Sequence, residues 1–78
     1  FNMDKTIDFS KTVYELANSV PDFLDIMETL GFGEMRNCVV SNPMTKEITV
    51  PMAMGNHDFE VVKVISRFEE NGYTVINA

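Results

Sequence analysis

Any chemistry in this chain has to start from one thiol and one imidazole, Cys38 and His57. A cysteine becomes a nucleophile only when a base or cation lowers its pKa and a pocket orients it. Arg36 stands two residues from Cys38, and on a helix such neighbours point in different directions. His57 lies in Gly55-Asn56-His57-Asp58, where Asp58 would serve it as partner in general-base or metal chemistry. The plainer readings make Cys38 a small apolar space-filler, His57 a surface-loop residue and Asp58 a helix cap.

The acids are numerous but dispersed. Asp22, Asp25 and Glu28 fall on one outward helical face, and Glu69-Glu70 close another helix. Metal clusters and hydrolytic pairs need carboxylates that converge at defined separations, which helix-face acids do not supply. No calcium loop, phosphate loop or nucleophile elbow occurs in the sequence. A nucleophile–base–orienter set cannot be drawn from one Cys and one His. The sequence therefore points away from an enzyme, nominates no catalytic or metal residue, and calls for no cofactor. Cys38 and His57 stay as the redox or ligand candidates.

Six methionines are many for this length: Met3, Met27, Met35, Met44, Met52 and Met54. Their side chains adapt to irregular shapes and suit both gap-filling cores and promiscuous grooves. Met52 and Met54 flank a short turn that cannot easily bury both. Together with Val61, Ile65, Phe68 and Tyr73 they are the interaction candidates.

These residues must be carried by short elements, since Pro and Gly cut the chain at 21, 31, 33, 43, 51, 55 and 72. Thr12-Val13-Tyr14-Glu15 is a capping box and predicts a first helix over 13–18. Pro21 suits the first turn of a second helix, which Asp22 and Asp25 favour electrostatically and Gly31 ends after Leu30. Phe23, Leu24, Ile26, Met27 and Leu30 form its apolar side. A third helix is predicted over 35–40, closed by Ser41-Asn42-Pro43, and a capped single turn over 49–55. The longest helix runs from Phe59 to Glu70 under an Asp58 cap and ends at Gly72. Its residues Val61, Val62, Val64, Ile65 and Phe68 span about 160°, wider than a minimal core stripe. Alternation around Ile7 and over 73–76 predicts a two-stranded tie between the chain termini, marginal unless packed on the helices or on a second subunit. The fold expected is mainly α, a bundle of four to five short helices.

With 78 residues, 45% hydrophobic and 23% charged, the composition is that of one globular domain. Phe1-Asn2 reads as a non-native leader before a start at Met3, so the domain is expected over 3–78. A net charge of −6 disfavours nucleic acid and anionic membrane as partners. One cysteine, no apolar run of about 18 residues and no basic-then-apolar leader lead us to expect a cytoplasmic protein.

The order of signals resembles a bacterial family called domain of unknown function 1858. The residues that carry the likeness are 7–16 (Ile-Asp-Phe-Ser-Lys-Thr-Val-Tyr-Glu-Leu), Val20-Pro21, Leu30-Gly31-Phe32, Met35-Arg36-Asn37, Ile48-Thr49-Val50 and 68–73 (Phe-Glu-Glu-Asn-Gly-Tyr). The resemblance spans Asp4 to Val75 and implies a multihelical domain that occurs alone or beside hemerythrin-like, sensory or iron–sulfur proteins. One class of relatives carries a redox cysteine pair after the Leu-Gly-Phe corner. Here that corner continues as Gly33-Glu34, so the pair's chemistry does not carry over. Two functional expectations follow. The first is a non-catalytic interaction or ligand-binding module, a homodimer that also takes another protein. The alternative is a redox- or metal-linked accessory domain.

Overall fold

The structure, a computed structural model, describes residues 5–55 and 57–78. The leader Phe1-Asn2, the start at Met3, the first residue of the family resemblance at Asp4, and Asn56 lie outside the described residues. In chain order the elements are β1 (Thr6–Asp8), α1 (Val13–Ser19), α2 (Phe23–Thr29), α3 (Met35–Ser41), a 3-10 turn (Pro43–Lys46), α4 (Val50–Ala53), α5 (Asp58–Glu70) and β2 (Thr74–Ile76). This is the mainly α bundle with a terminal two-stranded tie that the sequence predicts. Among the described residues no helix is long and apolar enough to cross a membrane.

Local rules place most of these boundaries. Thr12 Oγ1 accepts from the Glu15 N–H at 3.2 Å while Glu15 Oε1 accepts from the Thr12 N–H at 2.9 Å, closing the capping box. Thr49 caps α4 in the same way, accepting from the Met52 N–H. The two caps pair as an isolated antiparallel bridge, and the Val13 N–H donates to the Ile48 carbonyl at 2.8 Å. The starts of α1 and α4 are thereby clamped side by side. Gly31 and Gly72 close α2 and α5 at φ +97° and +90°. At each, the next residue donates back into the last turn: the Phe32 N–H to Met27 and the Tyr73 N–H to Phe68. Only glycine adopts that left-handed link without strain, and the reversal turns the chain toward its next element.

β1 and β2 run parallel, with Thr6 opposite Thr74 and Asp8 opposite Ile76. All five helices form the crossover between them, which a parallel pair requires. Asp8 fastens the far end of the tie. Its carboxylate accepts from the Ser10 hydroxyl, the Asn77 amide and the Ser10 N–H, and these bonds hold its pKa down to about 2.

Phe68 sits at the centre of the core, 0% exposed. Its ring meets Phe9 edge-on at 5.6 Å, stacks on Phe23 at 5.8 Å and meets Tyr73 edge-on at 5.6 Å. Ile7, Val13, Leu16, Met27, Val50 and Val64 fill the space around them.

Packing corrects several expectations. Pro21 lies in the turn before α2, not in its first turn, and Asp22 holds the cap position. The Asp22 carboxylate makes no capping bond because it accepts from the Tyr73 hydroxyl instead. Asp58 is the first residue of α5 and His57 takes the cap position, with no side-chain capping bond. The apolar arc of α5 is narrower than its sequence suggests, since Val64 and Phe68 enter the core whereas Val62 stays exposed.

Two predictions test this core. Phe68→Ala should cost about 3–5 kcal/mol, against a total near 4–12 kcal/mol for a domain of this size. Urea unfolding followed by circular dichroism should therefore place the variant's midpoint far below the parent's. The second concerns Tyr73, whose hydroxyl is pushed up to about 12 by burial and by its bond to Asp22. The fold favours the neutral phenol, so this contribution is complete below about pH 10 and is lost as pH rises toward 12. The urea midpoints of parent and Tyr73→Phe should differ at pH 8 and converge across that window.

Candidate functional site

The sequence nominated six interaction residues, and the fold divides them. Phe68 belongs wholly to the aromatic core and cannot meet a partner. Met54 is buried against the same core, because the short α4 turns it inward and leaves Met52 outside, 50% exposed. Tyr73 is buried between Phe68 and the Asp22 carboxylate, with Lys5 Nζ 4.4 Å from its ring centroid. Val61 and Ile65 are half-buried and pack on the core with one side. Of the original set, Met52 and the outer edges of Val61 and Ile65 stay available.

Those edges open into a furrow of about 380 Å³ along α5. Val61, Val62 and Ile65 line it together with Pro51, Asp58 and Ala78. Val62 is 58% exposed and Phe59, one turn earlier, is 73% exposed. Large apolar groups on the longest helix thus stay in water.

A second opening, of about 260 Å³, lies across α3 and the 3-10 turn. Its position follows from the clamp at Thr12 and Thr49, which brings Val13 and Ile48 together. The Gly31 reversal delivers Phe32 to its edge, and α3 then presents Met35 and, one turn later, Cys38. Asn42 ends α3 and starts the 3-10 turn by accepting from the Met44 N–H at 3.0 Å, which sets Met44 across from α3. Thr45, the buried polar residue here, donates its hydroxyl to the Asn42 carbonyl. Glu34 is the one charged residue in the lining.

Cys38 is therefore no buried space-filler but a half-buried thiol at an apolar groove. Arg36 points away from it, as helix geometry predicts, and bonds Asp25 at 2.8 Å and Glu28 at 3.1 Å. His57 is exposed, and its ring lies over Gly55. Among the described residues no three His, Cys, Asp or Glu side chains gather where they could hold a metal ion. Asp25 and Glu28 form the outward face expected of α2, while Asp22 is half-buried through its bond to Tyr73.

The groove's Glu34, Met35 and Met44 are residues that sequence reasoning did not single out. The Met35–Cys38 spacing of three was the available signal, since it places both on one helical face. Comparison with protein-family models, curated proteins and solved structures finds no match for this chain.

Proposed function

We propose that this protein is a non-catalytic interaction module that self-associates through the open flank of α5. The observation that carries this reading is the exposure of Val62, which lines the furrow with Val61 and Ile65, and of Phe59 one turn before it on the same helix. Contiguous apolar surface rimmed by polar residues marks an interaction site more often than an ordinary patch. A second copy supplies the same stripe, and a two-fold contact between like surfaces is the commonest way for a soluble chain to pair. Small domains also gain stability by association, because their own cores are thin. In the same proposal the chain is a bacterial, cytoplasmic member of the domain of unknown function 1858 family, supported by its ordered sequence signals.

Val62→Asp is the discriminating variant, since an exposed side chain can change without emptying the core. Light scattering coupled to size exclusion should give about twice the 8.8 kDa chain mass for the parent at both a low and a high loading concentration. Val62→Asp should elute as a monomer with an unchanged helical signal. A monomeric parent at both loadings, or a Val62→Asp dimer, overturns the proposal.

A further inference from the structure

The α3 groove lies apart from the α5 flank, and its charges point to a different occupant. Its lining is apolar and includes two flexible thioethers, Met35 and Met44, the latter 53% exposed. A dry apolar cavity of about 150 Å³ accepts benzene, so 260 Å³ is room for one large apolar side chain or two smaller ones. The single charge in the lining, Glu34, has no ion pair among the described residues and keeps only a long contact, 3.4 Å, from the Asn37 amide.

Among the described residues no basic side chain lines this groove. Arg36 is taken by Asp25 and Glu28, and Lys46 lies over the Tyr14 ring at 4.8 Å, outside the groove lining. The nearest cations in sequence are thus turned elsewhere, and an unpaired carboxylate faces solvent beside an apolar slot. A two-fold contact with a second copy through this groove would set a like Glu34 toward that carboxylate with no cation in the lining to separate them, so self-pairing is disfavoured here.

We propose that the groove between α3 and the 3-10 turn binds a basic amphipathic segment of another protein, seating an apolar side chain between Met35, Cys38 and Met44 and a lysine or arginine beside Glu34. Methionine lets such a groove reshape around aliphatic or aromatic anchors. Charge beside it sets partner choice and encounter rate more than total affinity.

The probe is a synthetic Leu/Lys amphipathic helix of about fourteen residues, or four turns, added to the isotope-labelled full chain and followed by backbone-amide NMR. Shifts should centre on Phe32, Met35, Cys38, Met44 and Ile48, and the bound peptide should slow alkylation of Cys38. Met44→Asp should weaken binding by about tenfold or more, with its helical signal kept because the side chain is exposed. Glu34→Gln should weaken it about two- to fivefold, whereas Glu69→Gln should leave it unchanged. A matching Leu/Glu peptide should produce no shifts, and Val62→Asp should bind like the parent, so the outcome is separate from that of self-association. Shifts centred on α5, equal losses for Glu34→Gln and Glu69→Gln, or saturable binding of the Leu/Glu peptide would each overturn the proposal.

Discussion

The ring of Phe68 is the constraint on which the remaining structure depends. It touches Phe9 just after β1, Phe23 at the start of α2, and Tyr73 just before β2. Two segments far from α5 in sequence, and the chain that follows it, are thereby fixed to the helix by one side chain. Aromatic pairs of this kind contribute roughly 0.5–1.5 kcal/mol each beyond the area they bury. In a domain this small, three such contacts amount to a sizeable part of the net stability. The Gly72 reversal is part of the same device, because it folds Tyr73 back onto the Phe68 ring that ends the helix.

Charge is distributed on the opposite principle. Lys5 and Lys46 lie over tyrosine rings, Lys63 lies over Phe59, and Arg36 and Arg67 are tied to carboxylates. Five of the six basic groups are thus engaged within the chain. Acids outnumber them two to one, so several carboxylates face solvent with no cation of their own. With a net charge of −6, the surface offered to partners is acidic. That bias gives the two apolar openings their electrostatic setting.

Much of the fold was legible because its boundaries are set by neighbours in sequence. The Thr12–Glu15 box, the glycine stops at Gly31 and Gly72, and the Thr49 cap each depend on residues within one turn. What failed depended on distant partners. The Asp22 carboxylate, expected to favour the start of α2, is instead bonded by the Tyr73 hydroxyl 51 residues later. The wheel of α5 grouped Val62 with Phe68, since periodicity gives direction but not how far the neighbouring elements reach around the helix. The parallel sense of the strands followed from the crossover and left no mark within either strand. The site was the least legible, because its groove is assembled from α1, the Gly31 corner, α3, the 3-10 turn and α4.

The terminal tie has a consequence for how the molecule comes into being. Asp8 and Asn77, joined in the finished fold, are 69 residues apart in sequence, and Phe68 and Tyr73 lie in the last stretch of the chain. During synthesis α1, α2 and α3 emerge before the ring that organises them, and β1 has no strand to pair with. Closing so long a loop costs entropy before any contact is gained. Folding should therefore be held back until residues 68–77 have emerged from the ribosome, and then proceed in a single cooperative step. A nascent chain halted before Phe68 would present Phe9 and Phe23 to chaperones rather than to each other.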